Sequence, residues 1–73
     1  MQPIAPPTAK GARQAQAILD ATLRCLGRDG YHATSLARIA EEAGTQKRMI
    51  SYYYGTREQL IEHAIRHLGD LLI

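Results

Sequence analysis

A short segment in the middle of the chain carries side chains of the types that contact nucleic-acid bases. They are Gln46, Lys47, Arg48, Ser51 and Tyr52. In the major groove of B-DNA, a glutamine amide can pair with adenine, and an arginine or lysine can pair with guanine. A single helix of about 10–12 Å diameter fits that groove and could present these side chains to base edges. The segment is therefore a candidate base-reading surface, with Thr45 directly before it as a further candidate.

Hydroxyl and guanidinium groups outside this segment are candidates for phosphate contacts. Thr34 and Ser35 stand at the predicted start of a helix, where hydroxyls and backbone N–H groups bind anions. Tyr53 could donate its phenol to a phosphate oxygen, although packing in the core explains this residue equally well. Arg57, near the start of a later helix, could hold another phosphate, and Arg38 could either point at a phosphate or lie in solvent.

Two short helices that meet at a glycine must position the base-reading segment. Apolar residues recur at helical spacing over residues 36–43 and again over residues 46–53. Gly44 supplies the permissive backbone that a tight turn between them needs. The small Ala40 allows the two helices to approach, and Ile50 fills the core that they share. This pattern predicts a helix-turn-helix.

Further helices are predicted on both sides of this pair. Residues 11–29 carry an apolar stripe at three- and four-residue spacing, and Gly30 is the expected left-handed cap after it. Ser35 is the predicted N-cap of the second helix. Thr56 opens a fourth helix, with Gln59 three residues later as its capping-box partner. The prediction is an all-α bundle of three helices in a homeodomain-like arrangement, followed by the start of a long fourth helix.

The two ends of the chain differ in composition from the part between them. Residues 1–10 hold all three prolines and are predicted to be a disordered arm, which leaves residues 11–73 as the helix-turn-helix domain. The fourth helix carries Leu68, Leu71 and Leu72 with nothing after them to cover this apolar face. We therefore expect either a further domain beyond Ile73, absent from this chain, or pairing of this face with another chain.

Composition narrows the function classes. The single cysteine, Cys25, excludes an internal disulfide and fits a cytoplasmic protein. No apolar run approaches the roughly 18 residues of a membrane span, so no membrane partner is expected. The net charge of +2 permits a polyanionic partner. The alternative to base reading by Lys47 and Arg48 is a basic helix face that contacts only solvent.

Signs of catalysis or metal binding are weak. His63 and His67 have the i,i+4 spacing of metal ligands, but the H-E-x-x-H pattern and a third ligand are missing. No nucleophile elbow, phosphate-binding loop or dinucleotide glycine motif occurs. We predict a protein that is not an enzyme and has no cofactor or metal, with a helical metal or catalytic site at the two histidines as a remote alternative.

Over about residues 14–65 the sequence resembles the DNA-binding domain of the tetracycline-repressor (TetR) family of bacterial transcriptional regulators. The resemblance rests on Ile18-Leu19, Asp29-Gly30-Tyr31, Thr34-Ser35, Ile39-Ala40, Ala43-Gly44, Ile50, Tyr53-Tyr54 and Arg57-Glu58 with Leu60. Departures fall mainly in the base-reading part. Thr45-Gln46 replaces the family's common Val-Ser, Ser51 a frequent Tyr, and Tyr54 the usual Phe. The resemblance therefore predicts the fold of this chain but not the operator sequence that it would bind.

The resemblance implies a sequence-specific regulator that binds double-stranded DNA. It further implies a homodimeric repressor on a palindromic operator, with a C-terminal domain that dimerises and binds a small-molecule ligand. That domain is absent from this chain. Ligand binding would move the fourth helix and change the spacing of the two DNA-reading units. The alternative function is a small helical protein-interaction module that uses the apolar fourth helix.

Overall fold

The computed structural model describes residues 9–72 of the chain, and four α-helices account for most of that range. They are α1 (Ala9–Asp29), α2 (Leu36–Ala43), α3 (Lys47–Tyr54) and α4 (Arg57–Leu71). The all-α prediction with a helix-turn-helix is confirmed. Helix α1 begins two residues before the predicted position 11, and residues 1–8 of the predicted arm lie outside the described residues. Helix α3 begins and ends one residue later than predicted.

The ends of α2 and α4 follow the capping signals in the sequence. The Ser35 hydroxyl oxygen accepts the backbone N–H of Arg38 at 3.1 Å, which confirms Ser35 as the N-cap of α2. Thr56 and Gln59 form the predicted capping box at the start of α4. Such bonds satisfy N–H groups that have no partner inside the helix, and each typically contributes about 1 kcal/mol.

The turn between α2 and α3 depends on a left-handed residue. Gly44 has φ of 72° and ψ of 34°, a conformation that residues with a side chain rarely adopt. Its N–H group donates to backbone carbonyls of the last turn of α2 and so closes that helix. Thr45 adds a second bond, from its N–H to the Ala40 carbonyl at 2.9 Å. The turn thus fixes the direction in which α3 leaves.

Helix α1 runs through the centre of the molecule and packs against all three other helices. The core between them contains Ile18, Ala21, Cys25, Ile39, Ala40, Ile50, Tyr53 and Leu60. Cys25 is fully buried, and burial raises the pKa of its thiol, as expected of a small core residue. Within the described residues, every buried side-chain nitrogen or oxygen has a hydrogen-bond partner. None of the helices described there is long and apolar enough to cross a membrane.

Candidate nucleic-acid interface

Helix α3 presents one face to the core and the opposite face to solvent. Ile50 and Tyr53 are its buried side chains. Its exposed side includes the predicted base-reading residues Gln46, Lys47, Arg48, Ser51 and Tyr52. The side chain of Gln46 makes no capping bond although the residue stands at the N-cap position, so its amide remains open to a ligand. The structure therefore brings all five predicted base-reading residues onto one exposed surface, which we term the α3 surface.

Lys47 and Arg48 differ from most basic side chains of the described residues because neither forms an ion pair there. Among residues 11–72, whose side chains the structure describes, Arg13 in α1 is the other cation without one. The remaining five each lie between 3.0 and 3.3 Å from a carboxylate oxygen: Arg24, Arg28, Arg38, Arg57 and Arg66. A paired cation has part of its field cancelled by its neighbour, whereas an unpaired one presents its full charge to a partner. The α3 surface therefore attracts anions more strongly than those pairs do.

Basic side chains are paired with carboxylates where the end of α1 meets α2. Glu42 accepts bonds from Arg24 at 3.0 Å and from Arg28 at 3.2 Å. Asp29 accepts bonds from Arg28 at 3.1 Å and from Arg38 at 3.3 Å. These guanidinium bonds hold the pKa of both carboxyls below their usual values. We term these five side chains the arginine network; within it, Arg38 is bound to carboxylates and does not point freely at a phosphate.

The two hydroxyls at the start of α2 have different surroundings. Thr34 is fully buried, and its hydroxyl donates to the Gly30 carbonyl at 2.7 Å. This bond ties the hydroxyl to the end of α1, so the predicted phosphate contact of the Thr34 side chain does not fit the structure. Ser35 is exposed, and its oxygen accepts a backbone N–H while its own proton stays available. Of the two residues, only Ser35 is placed to contact a phosphate through its side chain.

The Arg57 side chain is held by the loop that follows α1. Its Nε donates to the Thr34 carbonyl at 2.6 Å, and its Nη2 donates to the Tyr31 carbonyl. The guanidinium carbon lies 4.6 Å from the centre of the Tyr31 ring, and Nη1 bonds to Glu58 at 3.2 Å. These contacts fasten α4 to the loop. This placement differs from the phosphate contact predicted for Arg57, and it makes the residue a support of the fold.

The remaining predicted candidates, Tyr53 and Thr45, also contact the body of the protein, as does Tyr54, which was not a candidate. Tyr53 is only 8% exposed, so core packing, the second of its two interpretations, describes it. Tyr54 donates its hydroxyl to the Ala15 carbonyl at 2.9 Å, and burial raises the pKa of its phenol to about 12. Thr45 accepts a bond from the Gln14 amide, also at 2.9 Å. Nothing in the sequence identified the two α1 partners, because they lie 31 and 39 residues away.

The two histidines of α4 face different neighbours. The His63 ring lies 5.2 Å from the Tyr54 ring, centre to centre. The Nε2 atom of His67 lies 2.8 Å from the amide nitrogen of Gln16 and 3.7 Å from a carboxylate oxygen of Asp20. No group of three or more His, Cys, Asp or Glu side chains in the described range could hold a metal ion.

Comparison with known proteins agrees with this geometry. The profile of the bacterial regulatory proteins, tetR family, matches residues 18–64. The chain is 40% identical over 60 residues to proteins named HTH-type transcriptional regulator BetI from Burkholderia thailandensis, Burkholderia cenocepacia and Burkholderia ambifaria. In each case the match covers 81% of this chain but only 30% of the relative. No solved structure matches the chain.

Proposed function

Because the chain belongs to the tetR family of bacterial regulatory proteins, we propose that α3 is the helix with which it reads double-stranded DNA. The observation that carries this proposal is the contrast in charge pairing. Lys47 and Arg48 are exposed and unpaired among the described residues, beside three exposed polar side chains, whereas five arginines elsewhere are matched with carboxylates. A helix with that surface suits a groove whose walls carry phosphates and whose floor carries hydrogen-bonding groups.

The proposed roles divide the candidates into three groups. Base edges are contacted by the α3 surface, namely Gln46, Lys47, Arg48, Ser51 and Tyr52. Phosphates are contacted by Ser35 with the first N–H groups of α2, and by the hydroxyl proton of Thr45, whose oxygen already accepts from Gln14. Thr34, Tyr53 and Arg57 support these residues from within the fold and are left out of the interface.

The assembly that would place this domain on DNA extends beyond the chain. The matched stretch makes up 30% of the length of the relatives, so these proteins are about three times longer. We propose that the full regulator is a homodimeric repressor whose C-terminal domain dimerises and binds a small-molecule ligand. Two copies of α3 would then read the halves of a palindromic operator, about 34–36 Å apart or a multiple of this.

A binding measurement with matched charge changes tests the proposal. We expect the chain to bind a duplex taken from upstream of its own gene, with affinity falling as salt rises. The Lys47→Ala/Arg48→Ala double variant should lose at least about tenfold in affinity, since each base contact contributes about 1–3 kcal/mol. The Arg24→Ala/Arg66→Ala variant removes the same charge from paired positions and should stay close to the wild type. Equal losses of affinity in both double variants would show that α3 is not the helix that reads DNA.

The exposed end of α4 favours a second candidate function. Ile65, Leu68 and Leu71 of α4 and Leu72 directly after it are between 42% and 79% exposed, which is unusual for large apolar side chains in one segment. A protein-interaction module that uses this face predicts no DNA binding at moderate salt. The same titration of the wild-type chain therefore separates the two candidates.

A further inference from the structure

Helix α3 has few stabilising features of its own. It contains 8 residues, and isolated helices shorter than about 12–15 residues are marginal in water. Its N-cap residue, Gln46, makes no side-chain capping bond, whereas α2 and α4 both begin with one. Helix α3 must therefore be held in place mainly by contacts with the rest of the protein.

Two adjacent residues of α1 bond to the two ends of α3. The Gln14 amide donates to the hydroxyl of Thr45, two residues before α3 begins, at 2.9 Å. The hydroxyl of Tyr54, the last residue of α3, donates to the carbonyl of Ala15 at 2.9 Å. Both bonds are partly buried, where water competes less well for the same groups. A single turn of α1 thus fixes both the start and the end of α3.

We propose that Gln14 and Tyr54 are positioning residues that set the specificity of base reading, an inference that rests on the proposed function. Neither side chain belongs to the α3 surface. They act through α3, by fixing its orientation on α1 and hence the positions of Lys47 and Arg48 in the groove. Base contacts require placement to within about 0.5 Å, whereas attraction to phosphates depends on charge and tolerates small shifts. Loss of either bond should therefore reduce specific binding and spare non-specific binding.

The Tyr54→Phe variant removes one bond with little other change. The phenylalanine ring retains the packing against the rings of Tyr53 and His63. Tyr31→Phe is the matched control, because Tyr31 is 49% exposed and its ring, not its hydroxyl, contacts Arg57. For the other bond, Gln14→Met preserves the length of the side chain and removes the amide.

A control for the second variant lies on the same helix. Gln16→Met removes an amide that is exposed and contacts Asp20 in α1 and His67 in α4, both away from α3. All four variants would be made in the full 73-residue chain. Thermal unfolding followed by circular dichroism checks that each remains folded at the temperature of the binding assay.

The binding test uses two duplexes of equal length and composition. One is selected by the wild-type chain from a randomised library, and the other is its scrambled version. We expect Tyr54→Phe and Gln14→Met each to weaken binding to the selected duplex about two- to tenfold, the range for one hydrogen bond, and to leave the scrambled duplex unchanged. Both controls should match the wild type. Equal weakening on both duplexes, or none on either, would overturn the positioning role.

Amide hydrogen exchange in the free protein provides a second readout that needs no DNA. We expect faster exchange in α3 of both variants and unchanged exchange in α2, which has its own caps. Unchanged exchange in α3 would contradict the anchoring. If the wild-type chain selects no duplex, base reading by Lys47 and Arg48 fails and the specificity role fails with it. The exchange rates still decide separately whether α1 anchors α3.

Discussion

The arginine network and the α3 surface contain the same kinds of basic side chain in opposite electrostatic settings. In the network, Arg24, Arg28 and Arg38 share two carboxylates at distances of 3.0 to 3.3 Å. On the α3 surface, two cations face solvent without a carboxylate partner in the described part of the chain. Because a paired cation has part of its field cancelled, we expect anions to bind where cations are unpaired and not simply where basic residues are numerous.

Arg57 belongs neither to the arginine network nor to the α3 surface. Its substitution by alanine is expected to cause the largest loss of stability. Arg57→Ala leaves the Thr34 and Tyr31 carbonyls without a guanidinium partner. Bonds to charged groups contribute about 1.5–3 kcal/mol, so we expect the free energy of unfolding to fall by about 1–3 kcal/mol. Thermal or urea unfolding of the free protein measures it.

DNA binding by the same variant shows whether Arg57 supports the fold or contacts a phosphate. We expect the slope of log affinity against log salt to be unchanged in Arg57→Ala, since a lost phosphate contact would flatten it by about one unit. Arg57→Lys preserves the charge but not the planar fork of donors and should restore only part of the stability. A flatter slope with unchanged stability would assign Arg57 to the interface after all.

Acid is expected to lower the stability of the protein by a smaller amount. This loss should arise in the arginine network and not in the α3 surface. The pKa values of Asp29 and Glu42 are lowered in the folded state by their guanidinium partners. Their contribution to stability is therefore fully present above the unfolded-state pKa of about 4, and it is lost as pH falls through the lower folded-state values. Thermal unfolding between neutral pH and pH 2 measures the loss.

The matched variants for the acid experiment are Glu42→Gln and Glu58→Gln. Glu42 bridges two arginines, so its substitution should make the melting temperature less sensitive to acid. Glu58 is exposed and contacts Arg57 alone, so its substitution should change that sensitivity less. If Glu42→Gln retained the full acid sensitivity of the wild type, the arginine network would not be the source of the pH dependence of stability.

Local signals in the sequence predicted the fold because they act over a few residues. The left-handed Gly44, the cap at Ser35 and the capping box at Thr56 and Gln59 all depend on partners within five positions. The α3 surface followed as well, since one exposed helical face can be read from residue spacing. The contacts of that surface with DNA stay a prediction.

Contacts between distant segments could not be predicted in the same way. Thr34 and Ser35 are both good capping residues, and the sequence does not tell that the Thr34 side chain is fully buried while Ser35 is exposed. Arg57 finds its carbonyl partners 23 and 26 residues earlier in the chain. The partly buried Asp29 and Glu42 likewise take guanidinium partners across the contact between α1 and α2. Spacing along one helix contains no information about such partners.

The central claim is that the unpaired cations of α3 read bases, and selection from a randomised duplex library tests it most directly. The wild type, Lys47→Ala, Arg48→Ala and Arg66→Ala would each select from the same library. We predict that Lys47→Ala or Arg48→Ala relaxes the preference at particular base pairs by about 1–3 kcal/mol, while Arg66→Ala selects the wild-type sequence. The same selected sequence from all four proteins would contradict the claim.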